Sequence, residues 1–257
     1  MKAVILAGGK GTRMIEETEF RPKPMLEVGG MPIIWHIMKI LTTHGVDEFI
    51  ICLGYKGYMI KEYFANYFLH SRDVIIDTNN NSVKVLKEMS ESWKISLIDT
   101  GFDTMTGGRL KQVGKYLDED EPFLFTYGDG VSDVNITELK KFHKEGSQKV
   151  SLTAVQPTGR FGSLDLDGGK VNYWVEKPAG DNAWINGGYF IMDPSVLSCI
   201  DNDRTSWERE PMEHLVKQGD VAAYRHNGFW QCMDTIRDHK YLNELWSTNK
   251  APWKTWG

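Results

Sequence analysis

The sequence predicts an α/β fold in which a mixed, mostly parallel sheet is flanked by helices and carries a β-rich appendage. In the first half of the 257-residue chain, short apolar runs alternate with segments of helical spacing, the pattern of a parallel sheet covered by helices. Two of the runs lead into glycine and polar residues, at Gly8-Gly9 and at Gly128-Asp129. Strand-like residues around Gly168-Gly169 predict a hairpin in the second half. We expect a single domain, 1–257, with halves at about 1–150 and 151–257.

Strand and helix signals follow one another along the chain. Proline in the first turn and Gly45 after the last turn bound the first predicted helix. Continuous apolar runs such as residues 49–53 indicate strands buried on both faces. The predicted strands are 2–7, 49–53, 74–76, 82–86, 95–98, 123–127, the hairpin 163–171, 185–192 and 221–224, and the predicted helices are 32–41, 58–69, 110–117, 209–218 and 237–246.

Composition and charge argue against several classes of protein. A net charge of −5 argues against a nucleic-acid partner, because duplex binders present a basic surface. The three cysteines are odd in number and far apart, so they predict neither a disulfide framework nor a zinc site. The chain has no apolar stretch of roughly 18 residues, and its first apolar run is too short for a signal-peptide core. We expect a soluble, cytoplasmic protein that does not contact a membrane.

The strongest functional signal is a glycine-rich loop directly after the first predicted strand. The loop Gly8-Gly9-Lys10-Gly11-Thr12-Arg13 lets backbone N–H groups approach a nucleotide without an intervening Cβ. Thr12 adds a hydroxyl, and Arg13 offers a planar fork of donors that matches phosphate oxygens. Further along, two prolines stiffen the backbone on both sides of Lys23. These residues predict a site for phosphate groups.

Other glycine-rich phosphate loops differ from this one in detail. A dinucleotide fingerprint needs GxGxxG, and a P-loop needs its last glycine followed by Lys and Ser or Thr; neither pattern is present. A tight turn with incidental basic residues is the remaining alternative. The same stretch also contains Gly-Thr-Arg and Pro-Lys-Pro, and these residues favour a phosphate site over a simple turn.

A second group of candidates lies around the predicted strand 123–127. Asp129 follows that strand between two glycines, which leave room for a ligand, and a carboxylate there suits Mg²⁺. The alternative is a turn aspartate that bonds its own backbone. Near a predicted helix N-terminus, where the helix dipole favours an anion, four residues could contact a base or ribose: Thr104, Thr106, Gly107 and Arg109.

Histidine and tryptophan residues indicate packing rather than chemistry. No metal-ligand spacing occurs among His36, His44, His143, His214 and His226, which we interpret as core or surface residues. The terminal segment 251–257 carries two tryptophans on a polar tail. Two large rings there predict docking onto the same subunit, with a neighbouring subunit as the alternative.

The whole chain resembles the glucose-1-phosphate cytidylyltransferase branch of the sugar-phosphate nucleotidyltransferase superfamily. The superfamily marks are the loop 8–13 and the downstream Lys23. The marks of the branch are the segments 51–58, 62–68, 106–110, 125–130, 176–178, 185–188 and 229–235. Together these motifs run from end to end of the chain.

The resemblance implies a Rossmann-like sheet with a sugar-binding appendage, and transfer of a cytidylyl group from CTP to α-D-glucose 1-phosphate. It implies Mg²⁺ on Asp129 and Asp234 and catalytic roles for Arg13 and Lys23. The implied nucleotide-binding residues are Leu6, Ala7, Gly8, Gly9, Lys10, Gly11, Thr12, Arg13, Lys23, Thr104, Thr106, Gly107, Arg109 and Gly128, and the implied sugar-phosphate-binding residues are Glu176, Lys177, Asn186 and Gly187. It also implies a homo-oligomer such as a hexamer, and a product, CDP-glucose, that supplies dideoxyhexose synthesis for the O-antigen of lipopolysaccharide.

Several alternatives stay open at the level of sequence. Without the resemblance, Asp234 would be interpreted as a helix N-cap and Glu176-Lys177 as an edge-strand charge pair. The same chemistry with dTTP or UTP, or with another hexose phosphate, is not excluded by residue spacing. A catalytically silent nucleotide-sugar sensor on this fold would be expected to lose Lys23 or a metal aspartate, and all are present. Cys232 stands where close relatives carry proline, which changes the stiffness of the chain beside Asp234.

Overall fold

The structure is a computed structural model that describes residues 1–9, 11, 14, 18–86, 91–157, 163–167, 170–175 and 183–256. The strands are β1 Lys2–Ala7, β2 Glu27–Val28, β3 Met31–Pro32, β4 Glu48–Leu53, β5 Val74–Asp77, β6 Ser82–Val85, β7 Lys94–Asp99, β8 Phe123–Tyr127, β9 Gly130–Ser132, β10 Val150–Val155, β11 Ser163–Asp167, β12 Lys170–Val175, β13 Ile185–Met192, β14 Val221–His226 and β15 Trp230–Cys232. The helices are α1 Ile33–Thr42, α2 Gly57–Ala65, α3 Tyr67–Ser71, α4 Thr106–Val113, α5 Ile136–Glu145, α6 Glu210–Gln218 and α7 Ile236–Ser247, with 3₁₀ helices at Lys23–Met25, Gly114–Tyr116 and Pro194–Cys199.

A seven-stranded sheet in the order β14-β10-β13-β8-β1-β4-β7 forms the centre of the molecule. Within it, β13 runs antiparallel to both of its neighbours, and the other adjacent pairs are parallel. The predicted α/β fold with a mostly parallel sheet is therefore confirmed. Because β1 and β8 are parallel neighbours, the loop that follows β1 opens at the carboxyl edge of the sheet beside the end of β8, where sheets of this kind bind ligands.

The strands of the second half divide between the central sheet and small separate sheets. β10, β13 and β14 extend the central sheet, whereas β11 and β12 pair with each other as the hairpin that the sequence predicts. A further two-stranded sheet joins β15 to β9. This pairing matters for the site, because each strand has an aspartate within two residues of its end.

Several helix boundaries differ from the sequence prediction. The helix predicted over 58–69 is divided at Asn66, whose φ of −107° and ψ of 21° interrupt the helical path between α2 and α3. The helix predicted over 110–117 begins earlier, at Thr106, and its last turn is 3₁₀. The elements that the sequence does not predict include helix α5 and strand β10. Asn135 is the N-cap of α5, and its side chain accepts a hydrogen bond from the Glu138 N–H.

The core consists of two clusters on opposite faces of the sheet. In β1, Ala3 and Ile5 belong to one cluster and Val4 and Leu6 to the other, as the alternation of side chains along a strand requires. Such burial on both faces accounts for the continuous apolar runs in the sequence. Among the described helices, none is long and apolar enough to cross a membrane.

The C-terminal segment docks on its own subunit around a buried histidine. Trp253 is fully buried, stacks on Phe229 with ring centroids 5.4 Å apart, and donates a 3.4 Å hydrogen bond to Nδ1 of His36. Nε2 of His36 donates to the Val28 carbonyl at 2.8 Å. Burial lowers the pKa of His36 from its ordinary value of 6.5 to about 4. The buried neutral histidine therefore contributes less to the stability of the fold as the pH falls from 6.5 towards 4. The predicted same-subunit docking of this segment is confirmed.

Removal of the Trp253 ring should destabilise the whole fold. Trp253→Ala is expected to lower the free energy of unfolding by about 3–5 kcal/mol, since the cavity lies between α1, α7 and the loop before β15. Urea denaturation measures this change. Trp184→Ala is the matched control, because Trp184 is 38% exposed, and should change stability by less than about 1 kcal/mol. Equal effects of the two substitutions would contradict the role of Trp253.

Candidate active site

Three charged side chains from distant parts of the chain meet at the carboxyl edge of the sheet. The Lys23 ammonium lies 2.6 Å from Oδ2 of Asp129 and 2.5 Å from Oδ1 of Asp234. All three are partly buried, with side-chain exposures of 12%, 31% and 28%. Burial lowers and the two carboxylates raise the pKa of Lys23, and the net direction is upward from 10.5. The ammonium is therefore charged at neutral pH. Its favourable pairing with the carboxylates is lost only when the pH rises above 10.5 and through the raised pKa.

The two aspartates are brought together by the β9–β15 pair. Asp129 immediately precedes β9, Gly130 is paired with Cys232, and the Met233 N–H donates to the Asp129 carbonyl at 2.8 Å. This ladder fixes Asp234, two residues past Cys232, opposite Asp129. The 3₁₀ turn Lys23–Met25 presents the lysine from the other side.

A capping box at the start of α7 fixes the backbone around Asp234. The Asp238 carboxylate accepts from the Asp234 N–H at 3.1 Å and from the Thr235 N–H at 2.8 Å. The Thr235 hydroxyl accepts in return from the Asp238 N–H. Thr235, rather than Asp234, is thus the N-cap of the helix, and the Asp234 side chain faces Lys23.

A cavity of about 370 Å³ adjoins this cluster, large enough for a small-molecule ligand. It lies between the glycine loop, the first turn of α4 and the end of β8. The residues that line it are Leu6, Ala7, Gly8, Gly9, Gly11, Lys23, Pro24, Thr104, Met105, Thr106, Arg109, Tyr127, Gly128, Asp129 and Asp234.

The buried guanidinium of Arg109 supports the glycine loop from beneath. It donates to the Leu53 carbonyl at 2.8 Å, to the Thr100 hydroxyl at 2.7 Å and to the Gly8 carbonyl at 3.2 Å. A Cβ on residue 8 would overlap this guanidinium, so only glycine allows the loop to lie so close. The sequence predicts a base or ribose contact for Arg109; the structure shows that much of its donor capacity is directed at the protein backbone.

The first turn of α4 is packed against the segment 201–208. The Met105 N–H donates to the Asp203 carbonyl at 2.8 Å, and the Gly108 N–H donates to the Thr205 carbonyl at 3.2 Å. These two N–H groups are therefore engaged, which limits how far the helix N-terminus can bind an anion as predicted.

Most of the residues predicted from the sequence lie together in the cavity wall. Those found there are Leu6, Ala7, Gly8, Gly9, Gly11, Lys23, Thr104, Thr106, Arg109, Gly128, Asp129 and Asp234. Gly107 instead packs against the backbone of Thr205 and Trp207, and Gly187 packs against Val155. Asn186 lies outside this wall, near the Tyr127 hydroxyl. Lys10, Thr12, Arg13, Glu176 and Lys177 fall outside the described residues.

Three residues of the cavity wall were not predicted: Pro24, Met105 and Tyr127. Pro24 and Tyr127 immediately adjoin predicted site residues, so their sequence position was an available signal. The Met105 side chain carries no polar group and is exposed at the start of the helix, so the sequence contains no signal that it lines the cavity.

Cys232 lies beside Asp234 and is not a nucleophile in this setting. Its thiol donates to Oδ2 of Asp234 at 3.5 Å, and burial together with the carboxylates raises its pKa to about 12. Only a thiolate attacks effectively, and at neutral pH this group is a thiol.

Asp129 and Asp234 could hold a divalent cation. The Lys23 ammonium between them is a stand-in cation, which shows that the two carboxylates converge on one position. Among the described residues no group of three or more His, Cys, Asp and Glu side chains is arranged to bind a metal. Two carboxylates fit Mg²⁺, which usually takes one or two from the protein and completes its shell with phosphate oxygens and water.

Comparison with known proteins shows which family the whole chain is similar to. The model described as nucleotidyl transferase matches residues 2–238. The chain is 57% identical over 256 residues to a glucose-1-phosphate cytidylyltransferase from Salmonella typhi, and 42% identical over 257 residues to a probable glucose-1-phosphate cytidylyltransferase from Bacillus subtilis, with 100% of both chains covered in each case. The solved structure of a putative glucose-1-phosphate thymidylyltransferase from Bacillus anthracis matches with a TM-score of 0.68 at 19% identity, covering 100% of this chain and 97% of that one, which shows the shared fold.

Lys23 should compete with a divalent cation for the two aspartates. Lys23→Met is expected to bind Mn²⁺ in the absence of nucleotide about tenfold more tightly than the wild type, because the ammonium no longer neutralises the carboxylates. Calorimetric titration measures the affinity. Lys39→Met, which removes a lysine paired with Glu91 elsewhere, should leave it unchanged. Equal or weaker Mn²⁺ binding by Lys23→Met would show that the cation does not use these carboxylates.

Proposed function

Because the chain belongs to the nucleotidyl transferase family, we propose that it transfers the cytidylyl group of CTP to α-D-glucose 1-phosphate, giving CDP-glucose and pyrophosphate. The choice of substrates is supported by 57% identity along the whole chain to glucose-1-phosphate cytidylyltransferases. The chemistry is supported above all by one observation, the convergence of Lys23, Asp129 and Asp234 beside the glycine-loop cavity.

The reaction is an in-line displacement at the α-phosphorus of CTP. A phosphate oxygen of the sugar 1-phosphate forms the new P–O bond, the bond between the α-phosphorus and its bridging oxygen breaks, and pyrophosphate leaves. A phosphate monoester has a second pKa near 6, so the attacking oxygen is largely ionised at neutral pH and needs no general base. The obstacle is the repulsion between two polyanions, which cations in the site must reduce.

Each cationic side chain has a different phosphate to stabilise. Lys23, in the wall of the cavity, stabilises charge on the α-phosphoryl group, and Arg13 stabilises the departing pyrophosphate. Lys177 binds the phosphate of the incoming sugar, while Glu176, Asn186 and Gly187 contact the sugar. Arg109 acts in this proposal by supporting the loop that carries Gly8.

We assign Asp129 and Asp234 as the ligands of Mg²⁺. When bound, this ion would neutralise phosphate charge and orient the triphosphate. The residues of the chain then have separate tasks. The aspartates would hold the ion, Lys23 would face the substrate phosphates, and the capping box keeps Asp234 in place.

The two halves of the domain, about 1–150 and 151–257, are assigned to nucleotide and sugar, respectively. In support, the cavity wall is drawn from the first half except for Asp234. A cytoplasmic location is part of the proposal, because both substrates are phosphorylated metabolites and the three cysteines are free thiols. So is a homo-oligomer such as a hexamer, for which the exposed apolar side chains of the β5–β6 hairpin, Ile75, Ile76 and Val83, offer a contact surface.

Pyrophosphate release tests the reaction and the base together. The purified chain is incubated with Mg²⁺ and glucose 1-phosphate, and CTP, UTP, dTTP, ATP and GTP are supplied in parallel. Release is expected to be dominated by CTP. Release with another triphosphate would overturn the cytidylyl assignment and keep the mechanism. No release from a folded sample that still binds nucleotide would contradict the enzyme and favour a silent nucleotide-sugar sensor.

The metal ligands are tested by the metal dependence of the rate. Asp129→Asn and Asp234→Asn should each abolish activity or raise the Mg²⁺ concentration for half-maximal rate, since an amide binds Mg²⁺ less well than a carboxylate. Asp118→Asn, at an exposed aspartate paired with Lys2, is the matched control and should behave as the wild type. An unchanged Mg²⁺ dependence in both site variants would place the metal elsewhere.

A further inference from the structure

The segment 201–208, between the 3₁₀ helix Pro194–Cys199 and α6, forms a fixed wall behind the cavity. Its Asp203 and Thr205 carbonyls bind N–H groups of the first turn of α4. Residue 108 must be glycine for this packing, because a Cβ there would lie 2.5 Å from the Cα of Asp203. Trp207 anchors the segment: it is fully buried against Phe125 and Phe190 in the core. The packing of Trp207 and the two carbonyl contacts therefore hold this wall in place without help from the residue after Trp207.

That next residue, Glu208, joins two side chains of the cavity wall through its carboxylate. Oε1 accepts from the Tyr127 hydroxyl at 2.7 Å, and Oε2 accepts from the Thr106 hydroxyl at 2.6 Å. Both distances are those of charge-assisted hydrogen bonds. The Thr106 oxygen also accepts a hydrogen bond from the Trp207 N–H at 2.9 Å, and this second contact helps to fix the direction in which the hydroxyl donates to Glu208. Glu208 thus fixes the rotamers of both residues.

The two joined residues come from different elements of the cavity wall, and their hydroxyls converge on the one Glu208 carboxylate. Thr106 begins α4, beside Thr104, on the side that the proposed function assigns to the nucleotide. Tyr127 ends β8, two residues before Asp129, and its hydroxyl interacts with Asn186, which the same proposal assigns to the sugar. Burial and the nearby Glu208 carboxylate raise the pKa of Tyr127, so its hydroxyl remains a donor to that carboxylate.

We propose that Glu208 is a positioning residue that couples nucleotide binding to sugar binding by holding Thr106 and Tyr127 in fixed orientations. Because Tyr127 donates its proton to Glu208, its phenol oxygen acts as an acceptor and faces the Asn186 side chain, on the side that the proposed function assigns to the sugar. Neither contact depends on the reacting phosphorus. Loss of Glu208 should therefore weaken ground-state and transition-state binding equally, which raises KM and leaves kcat unchanged. The inference rests on the proposed function for the identity of the two ligands.

The test combines kinetics, ligand binding and stability for a small set of variants. KM and kcat are measured for CTP and glucose 1-phosphate with the wild type, Glu208→Ala, Tyr127→Phe and Thr106→Val. Glu208→Ala should raise both KM values about tenfold, the fold-change of one lost hydrogen bond, with kcat within about threefold of the wild type. Tyr127→Phe should raise chiefly the KM for glucose 1-phosphate, and Thr106→Val chiefly that for CTP. Adding Tyr127→Phe to Glu208→Ala should raise the sugar-phosphate KM no further, because both remove the same contact.

Controls separate positioning from general destabilisation. Glu210→Ala, at an exposed glutamate two residues along the chain, should leave both KM values unchanged. Thermal unfolding of Glu208→Ala should match that of Glu210→Ala; if it is lower, Glu208→Gln, which keeps the size and one acceptor oxygen, replaces it and should give intermediate KM values. Both KM values within twofold of the wild type, or full additivity with Tyr127→Phe, would overturn the proposal.

Failure of the proposed function gives a different result. If the wild type releases no pyrophosphate from any triphosphate, the reaction itself is wrong, whatever Glu208 does. Calorimetric titration with CTP alone then still tests the coupling: Glu208→Ala and Thr106→Val should each bind CTP about tenfold more weakly than the wild type. Unchanged CTP affinity in Glu208→Ala would overturn the positioning role independently of the reaction.

Discussion

The ion cluster of Lys23, Asp129 and Asp234 is the interaction on which the arrangement of the site depends. Two carboxylates that share one position would repel each other without a cation between them, and the ammonium supplies it at 2.5–2.6 Å from both. The three residues are 106 and 211 positions apart in the sequence, so only the completed fold brings them together. The same charge balance that stabilises this corner without substrate makes it suitable for bringing two phosphorylated molecules together.

Separate contacts hold each of the three charged residues of the cluster in place. The β9–β15 ladder and the Asp238 capping box fix the aspartates, so that neither depends on a long, mobile loop. Behind Lys23, the hairpin β2–β3 is tied to α1 by the bond between Val28 and His36, and Trp253 buries that histidine. The C-terminal segment therefore contributes to the site indirectly. Its packing energy holds the chain that follows the lysine, and Arg109 does the same for the glycine loop.

Local sequence signals predicted the site wherever a single segment contains the whole feature. The glycines after β1, the prolines around Lys23 and the Gly-Asp-Gly after β8 each combine a strand end with turn residues, and the structure places all three around one cavity. Asp234 could be assigned only through the family resemblance, because its partner strand lies 100 residues away. The sequence predicts that Arg109 contacts the nucleotide, yet in the structure its guanidinium donates to backbone carbonyls. No local sequence pattern reveals these carbonyls. Helix α5 was missed because few of its residues are apolar and only Ile136, Leu139 and His143 are buried.

The most direct test of the catalytic role of this cluster is the steady-state rate of Lys23→Ala with CTP and glucose 1-phosphate. A cation aimed at charge that develops in the transition state typically contributes about 10²–10³ in rate. We expect kcat to fall by roughly that factor, with a smaller change in KM, while thermal unfolding shows a folded protein. A kcat within a few-fold of the wild type would contradict the role assigned to Lys23, and with it the interpretation of the cluster as the catalytic centre.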